Sequence, residues 1–396
     1  MSKYEAYGRA LAGERLPVAF VDLDAVDANV ATLVAPIRAA GKALRVATKA
    51  LRCPELIAHV LDRAGATAVM TYTAAETAML AAAGHRDLLL AYPTLQAREL
   101  DALAAANRTA TAAIAIDCAG HVAAVAAAAA RAGTVVPVVI DVDMSYRPLG
   151  RGPHLGVRRS PLRTADDVVA LAEQIRARAE LRFHGLLAYE AQIAGLTDRA
   201  PGARARNAAI RAIKARSAPY VRGLRRACVE ALAARGMAPA IVNGGGTGSV
   251  AWSAGDDALT EVTAGSGFVA AALFDEYAGL ALAPAAGFAL EVTRSPAPGI
   301  FTCAGGGYLA SGTPAPDRLP RPWLPEGLEL LALEGAGEVQ TPVRARSPLP
   351  LGTPVLFRHA KAGELAEHFA EYVLIRGDRV VGRAATYRGL GHAFLG

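Results

Sequence analysis

A chain of 396 residues with 53% hydrophobic and 20% charged side chains can bury a large core, which excludes a disordered protein and suggests more than one domain. The net charge of +6 rests almost wholly on arginine in an alanine-rich chain, so neither nucleic acid nor a membrane is expected as a partner. Cys53, Cys118, Cys228 and Cys303 lie apart with no C-x-x-C pair, which argues against a disulfide framework and a structural zinc site.

The N-terminus, Met1-Ser-Lys-Tyr-Glu-Ala, lacks the apolar core of a signal peptide, and alanine-rich runs such as 122–130 are too short to span a bilayer. A cytoplasmic protein is expected. Strand-like apolar runs then alternate with helical ones. After an isolated strand at Pro17–Leu23, strands are predicted at Ala43–Thr48, Ala68–Tyr72, Leu88–Tyr92, Thr111–Asp117, Val135–Asp141, Arg182–Tyr189, Ile241–Gly244 and Glu261–Gly265. Each of the first seven precedes a segment able to form a helix. The basic stretch Arg204 to Arg226 has helical spacing and reads as a solvated face.

Eight βα units in series predict an α/β fold, a TIM (β/α)8 barrel; an open doubly wound sheet is the alternative. After Phe288 helical periodicity gives way to short segments punctuated by proline and glycine, including a proline-rich loop at 314–325. This predicts a C-terminal mainly β domain. The expected domains are an N-terminal segment at 1–24 packing with the C-terminal domain, a barrel at 25–287 and a β domain at 288–396.

Functional groups of such a barrel sit at the C-terminal ends of its strands. Lys49 ends the first. Lysines are few, and one kept at an apolar strand end is the amine a Schiff base needs. Asn243-Gly-Gly-Gly-Thr-Gly-Ser249 ends the seventh strand. Glycines there turn backbone N–H groups toward an anion, with Thr247 and Ser249 as hydroxyl donors. Gly265-Ser266-Gly267 ends the eighth strand and adds a second turn. No Gly-Lys-Ser/Thr follows the glycines, so this is not a P-loop.

A lysine and a phosphate nest at strand ends point to pyridoxal phosphate. Arg45 lies on the same strand face as Lys49 and is expected to screen it or to bond a cofactor oxygen. Tyr189 ends the sixth strand, ready to stack on a ring or to cap the core. Asp141, Asp143 and Arg147 form either a cofactor-contacting cluster or an ion-pair group.

These landmarks resemble the fold-type III pyridoxal phosphate enzymes, the alanine-racemase-like class, and within it the D-threonine aldolase and D-serine dehydratase branch. The resemblance rests on Arg45-Val-Ala-Thr-Lys49, on Tyr189, on Gly244 to Gly248 and on Gly265-Ser-Gly267. It implies Lys49 as the Schiff-base lysine and Asn243, Gly245, Gly246, Thr247, Gly265, Ser266 and Gly267 around the cofactor. Arg147 is the implied ring contact, with Arg158 and Arg159 competing after an insertion. It also implies a homodimer with shared active sites. The branch holds a divalent metal (manganese, magnesium or zinc) through a histidine and a second ligand two residues on. Here His359 fits the first position, but Lys361 stands at the second and cannot ligate while protonated. Without a metal, His359 or Lys361 would handle the proton of a β-hydroxyl.

The implied function is a lyase on a β-hydroxy-α-amino acid, of D configuration by the resemblance alone. A racemase using Tyr308 or Tyr387 as second base is the alternative. A non-catalytic pyridoxal phosphate carrier and a phosphosugar-binding barrel are weaker readings.

Overall fold

Strand β1 (Val18–Asp22) is buried along its whole length and stands outside the barrel. The barrel strands are β2 (Ala43–Ala47), β3 (Ala68–Thr71), β4 (Asp87–Leu90), β5 (Thr111–Ile116), β6 (Val136–Asp141), β7 (Leu181–Leu187), β8 (Ile241–Gly244) and β9 (Glu261–Ala264). All pair in parallel with their neighbours, and Leu44 beside Val262 closes β2 onto β9. The computed structural model describes residues 1–148, 150, 153–313, 315–361 and 363–395; Pro314, the first residue of the proline-rich loop, lies outside them.

Helices Pro54–Ala64, Ala74–Ala82, Ala97–Ala106, Ala119–Ala132, Ala165–Arg176, Arg204–Ala233 and Val250–Ala254 follow β2 to β8 in turn. The first shows why. Pro54 supplies a helical φ at the start, Leu56, Ile57, Val60, Leu61 and Ala64 fall on one buried face, and Gly65 ends the helix at φ +62°. The strands obey the other period. Leu88 and Leu90 join the layer under the helices, while Leu89 meets Ala113, Ala115, Val139 and Leu187 inside the barrel.

The second layer contains β10 (Ala286–Ala297), β11 (Ile300–Ala304), β12 (Arg321–Leu324), β13 (Leu328–Leu330), β14 (Gln340–Ala345), β15 (Pro354–Arg358), β16 (Glu371–Arg376) and β17 (Arg379–Ala385). One path of this sheet runs β13-β14-β11-β10-β1-β16-β17, and β15 links β10 to β12. The N-terminal strand β1 is therefore internal to the C-terminal sheet, antiparallel to β10 and parallel to β16. No helix among the described residues is long and apolar enough to cross a membrane.

The basic helix corrects one expectation. Arg204, Arg206, Arg216 and Arg226 are exposed, but Arg225 is fully buried among acidic partners. Every fourth residue or so of a long helix turns inward, and here one inward position is an arginine.

Candidate active site

The glycine loop after β8 is shaped by contacts that leave no room for side chains. Gly245 has φ +90°. A Cβ on Gly248 would lie 2.3 Å from the Ala194 carbonyl oxygen and 2.4 Å from the Tyr277 ring. A Cβ on Gly267, in the second turn, would lie 2.4 Å from Thr247 Cγ2. The two turns are tied together, since Gly267 N–H donates to Thr247 Oγ1 at 3.0 Å.

Beneath the loop lies a buried charge network. Glu190 accepts from Gly245 N–H at 3.0 Å, from Ser249 at 2.7 Å and from Ser253. Arg225 binds Glu190, Asp256 at 2.8 Å and the Ala188 carbonyl. Burial alone would raise the Glu190 carboxyl, but Arg225, both serine hydroxyls and the Gly245 N–H hold it below the ordinary range. The loop backbone is thus clamped to the residue that follows Tyr189.

Lys49 lies in a short turn of 3-10 helix, Thr48–Ala50, just past β2. Its Nζ donates to the Tyr92 hydroxyl at 2.7 Å. Both line a cavity of about 470 Å³ together with Arg159, Tyr189, Asn243, the glycines Gly245, Gly246, Gly248 and Gly265, Thr247, Ser266 and Lys361. Arg159 stands between two rings, 5.5 Å from the centroids of Tyr92 and Tyr189. Burial would raise the Tyr92 phenol, but Lys49 and Arg159 outweigh it and hold it below its usual value. Burial, with Glu190 adding to it, pushes the Tyr189 phenol up to about 12, so it remains a neutral donor.

Most residues singled out from the sequence meet here. Two arginines do not, and both expectations are corrected. Arg45 is buried in the barrel below Ala47, where its guanidinium bonds Glu261 through two nitrogens and Asp87 at 2.9 Å. Ala47 lines the cavity and Arg45 does not. Glu261 also accepts from Asn243 at 2.8 Å, so Arg45 supports the floor from one layer down. Arg147 faces Asp143 at 3.5 Å as part of an ion-pair group and is not in the cavity wall; Arg159 takes that place. Tyr92 escaped the sequence reading, although it ends a barrel strand as Tyr189 does.

Lys361 follows β15 and brings the β domain into the cavity wall. Burial first, then Arg318 and Lys49, hold its amine below the usual lysine value, against Glu364. His359 is buried and its carbonyl accepts from Ala272 N–H at 3.0 Å, but it is not in the wall. The second ligand that the resemblance implies is not at its expected place. The residue two further on is a cation, and among the described residues the one group of three clustered His, Cys, Asp or Glu ligand atoms is elsewhere. That group is Asp117, Cys118 and His121, with ligand atoms within 4.8 Å of one another at the end of β5.

The cavity does fit pyridoxal phosphate. An amine, a side-chain-free cradle and the rings of Tyr92 and Tyr189 line one cavity.

Comparison with known proteins agrees. The chain is 29% identical over 259 residues to D-threonine aldolase from Arthrobacter sp., covering 65% of this chain and 62% of that protein. The match therefore spans about three-fifths of that relative's length. In fold it is similar to the crystal structure of D-threonine aldolase from Filomicrobium marinum, with TM-score 0.81, 22% identity and 96% of each chain covered. It is also similar to D-threo-3-hydroxyaspartate dehydratase from Delftia sp. HT23, with TM-score 0.75, 21% identity, and 95% and 98% covered. The alanine racemase N-terminal domain family matches residues 21–271. With its closed barrel, lysine and glycine cradle, the chain belongs to that family, the fold-type III pyridoxal phosphate enzymes.

Proposed function

We propose that this chain is a pyridoxal phosphate-dependent lyase acting on a β-hydroxy-α-amino acid of D configuration, by retro-aldol cleavage or deaminating dehydration. The observation that carries the proposal is the meeting of Lys49, the glycine cradle and a second amine, Lys361, in one cavity. The curated relative named D-threonine aldolase supports the substrate class. Bound there, the cofactor would supply a sink for electron density leaving Cα.

The chain's own residues do the rest. Lys49 would hold the cofactor, and its amine, when free, would serve as the base at Cα. Tyr92 orients the Lys49 amine through its hydroxyl. Lys361, in the same cavity wall, would serve the β-hydroxyl. As a free amine it accepts the hydroxyl proton while Cα–Cβ breaks; as an ammonium it donates to a departing hydroxide. Gly245, Gly246, Thr247, Gly265 and Ser266 would hold the phosphate, with Gly267 bracing Thr247, while Tyr189 and Arg159 would hold the ring and Asn243 the floor. Of Tyr308 and Tyr387, the bases a racemase would call on, neither lines the cavity in its own chain. Tyr308 stacks on His368, and Tyr387 donates to Glu76 at 2.8 Å.

The proposal includes a homodimer in which the β domain of one chain closes the barrel mouth of the other, working in the cytoplasm. Sedimentation would report the dimer.

The deciding experiment is proton NMR of the cofactor-loaded protein with D-threonine in D₂O, with and without manganese. Glycine and acetaldehyde identify an aldolase, and 2-oxobutyrate with ammonia a dehydratase. Deuterium at Cα without cleavage would replace the lyase by a racemase.

A further inference from the structure

A second cavity, of about 450 Å³, adjoins the first and shares Lys49 and Tyr92 with it. A group bonded to a substrate carbon next to Lys49 can therefore extend into this chamber without crossing the cofactor's place. Its wall sets an apolar group of side chains against the polar Thr73, Thr94, Gln96 and Glu99. Tyr72 and Phe394 meet edge to face with centroids 6.2 Å apart, and Leu90, Pro93 and Leu395 complete that side. Phe394 belongs to a short strap that the fold ties down. It packs on Tyr387 and His392 at 5.3 Å and 5.1 Å, and His392 N–H donates to the Tyr387 carbonyl at 2.8 Å. The Tyr387 N–H in turn donates to the Arg52 carbonyl at 2.7 Å.

The charges of the chamber speak against an acidic occupant. Among the described residues its one lining cation besides Lys49 is Arg52, whose guanidinium already pairs with Glu367 and lies 5.2 Å over the Tyr72 ring. Glu99 adds a negative charge to the wall, its carboxylate accepting from Ala75 N–H at 3.0 Å. A second carboxylate here would face Glu99 and find its nearest cation, Arg52, already paired, whereas a flat apolar group would replace water against Tyr72 and Phe394.

We propose that this chamber is the side-chain subsite and that it selects an uncharged, bulky, preferably aromatic group at Cβ over a carboxylate. The inference rests on the reading of the chain as an amino acid lyase, and it makes Phe394 and Glu367 specificity-determining residues.

The test uses the cofactor-loaded protein and reads binding as well as turnover. D-phenylalanine, D-alanine and D-aspartate, which lack the β-hydroxyl, are titrated against the visible absorbance band of the lysine-bound cofactor. D-phenylalanine should bind at least about tenfold more tightly than D-aspartate. Phe394→Ala should erase most of that preference and leave D-alanine affinity within about twofold, with Phe394→Leu intermediate. Glu367→Gln frees the Arg52 charge and should improve D-aspartate binding at least about fivefold. The kcat/KM values for D-3-phenylserine and 3-hydroxy-D-aspartate should move in the same directions. Tighter D-aspartate than D-phenylalanine binding in the wild type overturns the subsite. So does a Phe394→Ala variant of unchanged Tm that weakens all three ligands equally. A wild type that forms no such band sinks the lyase reading itself, and this inference with it.

Discussion

Lys49 and Tyr92 are joined by a 2.7 Å hydrogen bond from amine to phenol, at the seam between the two cavities. The contact ties the first barrel strand to the third, and it couples two titratable groups. Opposed by burial, the Lys49 charge stabilises the phenolate of Tyr92, with Arg159 helping. In cofactor-free protein Tyr92 should ionise below an ordinary tyrosine, and Lys49→Ala should move it above. Arg159→Ala should raise it less. Ultraviolet titration against Tyr92→Phe isolates the signal. In the loaded enzyme Tyr92→Phe should lower kcat about tenfold or more, because the amine loses its orienting partner.

The glycine cradle makes a steric prediction. Gly248→Ala places a methyl group 2.3 Å from the Ala194 carbonyl oxygen, and neither backbone can yield cheaply. Cofactor affinity should fall about tenfold or more, measured by titration of the visible band. Gly120→Ala is the matched control, in a helix where the nearest atom to a new Cβ is Cys118 Sγ at an ordinary 3.8 Å. It should leave affinity unchanged and stabilise the fold by about 0.5–1 kcal/mol.

Arg225 should behave as a structural keystone. Arg225→Met leaves Glu190 and Asp256 buried without their cation, which costs roughly 3–5 kcal/mol. Arg225→Lys should recover only part, since a compact ammonium cannot reproduce the planar fork that spans Glu190, Asp256 and the Ala188 carbonyl. Urea unfolding gives the stability loss. A weaker cofactor complex in Arg225→Lys at conditions where it stays folded would show that the clamp also sets the loop.

Glu76 gives a pH dependence. It is buried, and burial pushes its carboxyl up to about 7, despite bonds from Thr48, the Tyr72 N–H and Tyr387. The folded protein keeps this proton up to about pH 7, while the unfolded chain releases it near 4.5. Stability therefore falls as pH rises between those values. Glu76→Gln should flatten that slope, so that the variant gains on the wild type at about pH 8 relative to about pH 5. Asp141, also raised to about 7 by burial, keeps its own contribution in both proteins. Chemical unfolding at the two pH values decides, and equal slopes would remove the assignment to Glu76.

The barrel, the β domain and the main parts of the site are determined by local pattern. Alternation at period two and helical periodicity both lie within a few residues of one another, and they mark each βα unit without knowledge of its neighbours. Gly245, Gly248 and Gly267 are legible for the same reason, since a turn is a local event, and Lys49 is legible because a strand end in a barrel faces the mouth. What the tertiary structure alone decides is which distant partner each charge finds. Arg45 shares a strand face with the site yet turns to Glu261 on the neighbouring β9 and to Asp87 two strands away on β4. Arg159 reaches the cavity through an insertion whose path no periodicity describes. Arg225 looks like its exposed neighbours on a basic helix and is buried only because Glu190, just past β7 of its own βα unit, and Asp256, from the next unit, converge on it. The strap at Phe394 meets Tyr72 across more than three hundred residues of chain. Such contacts are set by closure of the barrel and docking of the β sheet, and the energies that select them are properties of the assembled interior rather than of any segment.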